Sequence, residues 1–227
     1  MEAGRKTDGR VERGDRTRRH ILDAAVDIAS VEGLEGLSIG VLASKLRMSK
    51  SGLFAAFGSK EDLQLAAVDH AAAIFVEEVV RRGLSAPRGL PRLIALCDAW
   101  LEYARREVFR GGCFFAAASA EFDGRPGPIR ERVKEHMKDW MTLLSGAVRR
   151  AQQQGDLRAA VNPAQLAFEL YSIAMGTNWA FQLFRDASTF QRARDAINAR
   201  LAPLATDDAD LRRPQRRRER ARDSRQS

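Results

Sequence analysis

Apolar residues in this 227-residue chain return at three- and four-residue intervals, broken by short polar or Gly/Pro-rich stretches. That is the period of helices with one buried face. The most informative stretch is 37–63. After Ser38, which suits a helix N-cap, Ile39, Leu42, Ala43 and Leu46 fall at i, i+3, i+4 and i+7. Arg47-Met48-Ser49 interrupts the stripe, and Ser49 can cap a second helix, Lys50–Phe57, with Leu53 and Phe57 inward. Its other positions, Lys50, Ser51, Gly52, Phe54, Ala55 and Ala56, are mostly small or cationic. A face made only for water would carry more charge and longer side chains. A helix that enters a DNA major groove needs small residues for close approach and cations for phosphates. Gly52 costs about 1 kcal/mol relative to alanine inside a helix, which makes sense where DNA or a neighbouring helix needs the space.

The same reading along the chain predicts an all-α protein of about nine helices. A first helix spans about 15–31, with Ile21, Ala24, Ala25 and Ile28 inward and Gly33 as its stop. Ser59 and the acid three residues on resemble a capping box opening a fourth helix to about residue 82, with Leu63, Ala66, Ala67, His70 and Ile74 inward. A Pro/Gly-rich link at 85–91 precedes a helix that Gly111-Gly112 ends, then a short apolar piece at 113–122. Pro128 and Asn162-Pro163 open two long helices, and a last one covers about 188–201. The expected organisation is a tail over 1–14, a helix-turn-helix domain over 15–75, a second helical domain over 76–204, and a basic tail over 205–227.

Charge changes this picture little. The formal net charge is +8, but residues 1–19 hold seven Arg or Lys against four acids and residues 205–227 eight Arg against five. The body is therefore nearly neutral, and bulk charge alone supports nucleic-acid binding weakly. Two cysteines, Cys97 and Cys113, and three scattered histidines make neither a disulfide framework nor a metal site. No cofactor is expected. The longest run without a charged side chain, 170–184, is too short for a membrane span, and the N-terminus lacks a signal-peptide apolar segment. These features point to a cytoplasmic, reducing compartment. No nucleophile–base pair, paired-carboxylate site or Gly-rich phosphate loop is visible, so an enzyme is not expected.

The N-terminal 60 residues resemble the TetR family of bacterial transcriptional regulators. The resemblance rests on the first helix, then Ser38-Ile39 and Leu42-Ala43, then Met48-Ser49-Lys50, then Leu53-Phe54, Phe57, Lys60-Glu61 and Leu63. It implies a homodimer on a palindromic operator, with repression relieved by a small molecule. It also implies roles for single residues. Ser38 and Ser49 would cap their helices and donate to phosphates, while Lys50, Ser51, Gly52 and Ala55 would face the groove. Lys60 would contact the backbone from a helix N-terminus. Phe54 stands where the family more often has tyrosine, which removes a hydroxyl contact, and Gly40 and Ala56 are smaller than usual.

Further along, Trp100, Tyr103, Phe114, Phe115, Met137, Trp140, Met141, Tyr171 and Met175 spread over four segments. Such residues fill cores, and they equally suit a cavity for a mostly apolar effector, with Tyr103, Tyr171 or Asn178 orienting it. Cys113 reads as a buried small hydrophobe more readily than as a thiol sensor. The 166–184 stretch is apolar on more than one face, so one face is expected to meet a second copy through Leu166, Leu170, Trp179 and Leu183, joined by Ile197 and Leu201. Two rival readings are a non-specific architectural DNA-binding protein using the basic tails, and a helical small-molecule binding module without DNA contacts.

Overall fold

The computed structural model describes the backbone of residues 4–206, and side chains from residue 14. Among these residues there are nine α-helices of two turns or more and no strand. They are α1 (Gly4–Gly36), α2 (Ile39–Leu46), α3 (Lys50–Phe57), α4 (Lys60–Phe75), α5 (Leu90–Arg105), α6 (Phe114–Phe122), α7 (Pro128–Gln153), α8 (Pro163–Phe184) and α9 (Ser188–Leu201). After α4 the chain continues through a wider π-type stretch, Val76–Arg81, and one last turn, Arg82–Leu84.

Two compact units emerge. The first takes the chain up to Phe75 together with 107–137, and the second takes 76–106 together with the chain from 138 on. The first unit is therefore assembled from two separated pieces of sequence. Its core joins Ile21, Ala25 and Ile28 of α1 to Leu42 of α2, Leu53 of α3, Leu63 and Ala67 of α4, and Phe114 and Phe122 of α6. An aromatic cluster continues it: Phe115 lies edge-on to Phe114 at 5.5 Å and to Phe75 at 6.2 Å. The second unit buries Leu93, Leu96, Trp100, Leu144, Val148, Leu166, Leu170, Phe190, Ile197 and Leu201.

Several boundaries differ from the sequence expectation. Helical backbone begins at Gly4, so the expected tail over 1–14 is helical from that residue. Most of that segment is residues that tolerate a helix, with only isolated glycines against it. Helix α5 ends at Arg105, not at Gly111-Gly112, because Glu107 turns left-handed (φ 48) and Phe109 is buried. In α4 the inward face is Leu63, Gln64, Ala67, Val68, Ala71 and Phe75, about one residue's rotation from the predicted stripe. Buried Gln64 there donates to the Leu34 carbonyl at 2.6 Å. His70 stands at the edge of that face with Nε2 2.6 Å from Asp23. At the far end, Ala205 pairs with Leu157, and the Thr206 amide donates to the Asp156 carbonyl at 3.1 Å. The rest of the predicted basic tail lies outside the described residues.

Candidate functional site

The turn between α2 and α3 is built from two serine caps and one left-handed residue. Ser38 Oγ accepts from the Val41 amide at 3.2 Å, and Ser49 Oγ accepts from the Gly52 amide at 3.1 Å and from Ser51 Oγ at 3.3 Å. Arg47 (φ 54) turns the chain between the helices. Gly52 has a reason within the chain itself, since a Cβ there would stand 3.1 Å from Ser49 Oγ and crowd the cap. Ser59 caps α4 as its sequence suggested, accepting from the Asp62 amide at 3.0 Å.

Helix α3 is held from behind by fully buried Leu53 and by Phe57. The Arg18 guanidinium lies 4.5 Å over the Phe57 ring and donates to the Ala56 carbonyl at 2.7 Å. One cation of α1 thus fixes the C-terminal end of α3. Lys50, Ser51, Gly52, Phe54 and Ala55 remain exposed on the other side, on a helix without an acidic residue. Phe54 keeps 52% of its surface exposed. Helix α2 is tied down through Lys45, which reaches Asp27 of α1 at 3.1 Å. Arg110 reaches the same carboxylate at 2.8 Å. The Arg110 hydrogen bond, with Lys45 beside it, holds the Asp27 carboxyl below its ordinary range against the opposing effect of burial. A depressed carboxylate stabilises above its ordinary pKa and loses that contribution as pH falls through the depressed value. The knot is therefore fully formed at neutral pH.

Lys60 is engaged in a way the sequence did not reveal. Its Nζ donates to the Glu35 carboxylate and the Glu35 carbonyl, both at 2.9 Å, and this bond holds the Glu35 carboxyl below its ordinary range. Two further residues of the site were missed. After the left-handed break at Gly33 (φ 78), the amides of Leu34 and Glu35 point out of α1 and are accepted by the Glu121 carboxylate of α6 at 2.7 and 2.8 Å. Gly111 packs its backbone against Ser30, its amide donating to the Ser30 hydroxyl oxygen at 3.2 Å. Gly33 was legible as a stop, but nothing in its neighbourhood points to an acid almost ninety residues away.

The ten candidate effector residues are divided between the two units. Phe114, Phe115 and Met137 belong to the first unit, where the phenylalanines pack in the aromatic cluster, with His136 5.7 Å from Phe115. Trp100, Tyr103, Trp140, Met141, Tyr171, Met175 and Asn178 belong to the second, with Trp100, Tyr103, Trp140 and Asn178 buried and the others half-buried. Burial pushes the Cys113 thiol up to about 11 and the Cys97 thiol up to about 12, so neither carries the thiolate a redox sensor needs.

The predicted pairing surface needs correction. Leu166, Leu170, Ile197 and Leu201 are buried within their own chain. A helix apolar on two faces hides which face is the inner one, and the sequence reading took residues from both. The exposed apolar set is Phe168 (58%), Trp179 (61%), Leu183 (60%) and Phe184 (65%). On α8, Phe168, Ser172, Met175, Trp179 and Leu183 fall along one stripe at spacings of three and four. Trp179 sits edge-on to Phe184 at 5.6 Å, and the Gln182 side-chain nitrogen at the margin is covered without an acceptor among the described residues.

Comparison with known proteins gives one answer from three directions. The family model described as bacterial regulatory proteins, tetR family, matches residues 21–67. The model described as tetracyclin repressor-like, C-terminal domain, matches 89–197. The HTH-type transcriptional repressor NicS of Pseudomonas putida is 35% identical over 108 residues, 46% of this chain and 50% of the repressor, so the match spans half of that relative's length. A TetR transcriptional regulator from Chloroflexus aurantiacus superimposes with a TM-score of 0.80 at 24% identity, covering 86% of this chain and 98% of that one. AibR, solved with isovaleryl coenzyme A and operator DNA, gives 0.67 at 25% identity over 82% of this chain and 98% of its own.

Proposed function

The chain belongs to the TetR family of bacterial transcriptional regulators, and we propose that it works as a homodimer reading a palindromic operator. In this reading it is a repressor released by a small, mostly apolar effector, acting in the cytoplasm where its DNA is. No helix among the described residues is long and apolar enough to cross a membrane. The observation that carries the proposal is the outer face of α3. Its exposed Lys50, Ser51, Gly52, Phe54 and Ala55 stand on a short helix that is capped at one end and clamped by Arg18 at the other. Such a face is rigid, nearly free of long side chains and free of acids. Lys50 and the Ser38 and Ser49 hydroxyls would meet phosphates, Ser51 a base edge, and Phe54 and Ala55 thymine methyl groups.

The test is a titration against the DNA upstream of the protein's own gene and against a scrambled duplex, at two salt concentrations. Specific reading predicts at least about a thousandfold preference for one duplex. Equal affinities that collapse together with salt would make the protein a non-specific architectural binder instead.

Lys60 sharpens the test. Lys60→Ala is expected to weaken binding to both duplexes by similar factors and to lower the salt slope by about 1 per subunit, as a phosphate contact does. Glu35→Gln should act in the opposite direction, because it removes a negative charge and releases the Lys60 ammonium. Unchanged binding of Lys60→Ala at low salt would mean that this lysine serves only to hold Glu35.

The effector belongs, on this reading, to the second unit, around Trp100, Tyr103, Trp140, Met141 and Tyr171, with Asn178 as a polar anchor. Trp140→Ala is expected to keep operator binding and to abolish release by hydrophobic compounds that release the wild type, since a ligand shifts the equilibrium only through contacts that differ between two states. A loss of about 3–5 kcal/mol in stability with normal release would make Trp140 plain core.

A further inference from the structure

Two open clefts of the second unit differ in how their charges are balanced. The larger, about 560 Å³, is lined by arginines that already have partners: Arg194 lies 3.4 Å from Asp98, and Arg82 lies 2.7 Å from Glu78. The smaller, about 400 Å³, is lined by Arg88, Gly146, Arg149, Arg150, Gln153 and Gln154. It contains three guanidinium groups and two amides, and no carboxylate. Among the described residues no acid pairs with Arg88, Arg149 or Arg150.

Part of this arrangement has an ordinary cause. Arg150 sits in the last turn of α7, where a cation offsets the helix dipole. That account does not reach Arg149, one residue further from the end, and it does not explain why Arg88 of another segment converges on the same cleft. The position of Arg88 is engineered by its neighbours. Asp156, buried at 3% exposure just beyond α7, accepts from the Leu90 amide at 2.9 Å. Gly89 (φ 98) makes this approach feasible, since a Cβ there would lie 2.0 Å from the Asp156 carboxylate. The loop carrying Arg88 is thereby pinned to the end of α7, and the Asp156 carboxylate is buried and occupied. Gly146 keeps the floor of the cleft open, with nothing closer to a Cβ there than the Arg149 guanidinium at 3.9 Å.

We propose that this cleft binds a small anion bearing two or more phosphate groups, such as the pyrophosphate part of a nucleotide or cofactor. Guanidinium forks match phosphate oxygens two at a time, and three of them converging without a counter-charge raise the local potential that an anion relieves. The amide of Gln153 adds a neutral donor. A volume of about 400 Å³ suits a small ligand. Duplex DNA presents its phosphates on a convex surface and needs an extended strip, which a concave cleft on one end of a helix does not offer.

The experiment is isothermal titration of the full-length protein with inorganic pyrophosphate and tripolyphosphate, in moderate salt, against the Arg88→Gln/Arg149→Gln double variant. Wild type should bind tripolyphosphate more tightly than pyrophosphate at one site per chain. The variant should bind each about a hundredfold more weakly, roughly tenfold per lost charge-assisted contact, with an unchanged melting temperature in the absence of anion. Equal binding by wild type and variant would place the anions on the basic terminal segments and overturn the proposal. So would a variant that loses affinity for a random duplex while keeping affinity for pyrophosphate, because the cleft would then be a DNA contact. Both outcomes are separate from operator recognition, which the α3 titration reads on its own.

Discussion

Gly111→Ala is expected to unfold much of the first unit at temperatures where the wild type is intact. The added Cβ would lie 1.6 Å from the Ser30 carbonyl oxygen, 2.2 Å from its carbon and 2.9 Å from the Val31 nitrogen. All three are backbone atoms of α1, just before its break at Gly33, so no rotamer change relieves the clash. Either α1 bends or the 107–113 segment withdraws. Withdrawal takes away the Gly111–Ser30 hydrogen bond and the Arg110 partner of Asp27 with it. Overpacking of this kind costs about 3 kcal/mol or more. Chemical denaturation checks it: the midpoint should fall markedly with operator binding lost in parallel. A midpoint equal to wild type would mean the segment moves aside freely and carries no weight in the unit.

Trp179→Glu should be as severe for assembly and nearly silent for folding. The indole is 61% exposed in one chain, so its replacement leaves no hole in that chain's core. If Phe168, Trp179, Leu183 and Phe184 meet their copies across a two-fold axis, as we propose, the substitution sets two carboxylates facing each other in an apolar seam, where neither finds a partner. Light scattering should then report a monomer. Operator affinity should collapse by several orders of magnitude, because two half-sites are no longer read by one rigid body. Circular dichroism should remain that of the wild type. A variant of unchanged mass would move the seam to another surface.

How much of this could be read without coordinates varies by element. The two short helices were legible because their signals are local: Ser38 and Ser49 cap within three residues, and Leu42, Leu53 and Phe57 are inward in sequence and in space alike. The all-helical fold followed from the same period. What supports α3 and the turn before α2 was not legible. Arg18 reaches Ala56 across 38 residues and Glu121 reaches Leu34 across 87, and neither pair carries any pattern that marks it. Lys60 was recognised by its place in a motif, but a motif says nothing about which acid its ammonium meets while DNA is absent. For α8 the failure has another origin. Leu166 and Leu170 are as apolar as Trp179 and Leu183, so hydrophobicity alone cannot tell the face that meets the core from the face that meets a neighbour.

The Glu121 carboxylate over the Leu34 and Glu35 amides limits how this protein can be recombined. A chimera that joined residues 1–75 to the remainder of another regulator would cut away α6, leave those two amides without their acceptor, and expose the flank of α1 that Gly111 covers. The reading head would arrive with its helices present and their angles no longer fixed. A graft that keeps its operator preference has to carry 107–137 along, and with it three splice points instead of one. Drift is constrained in the same way: a change of effector can remodel the second unit freely, but Arg110, Gly111 and Glu121 move only in step with α1.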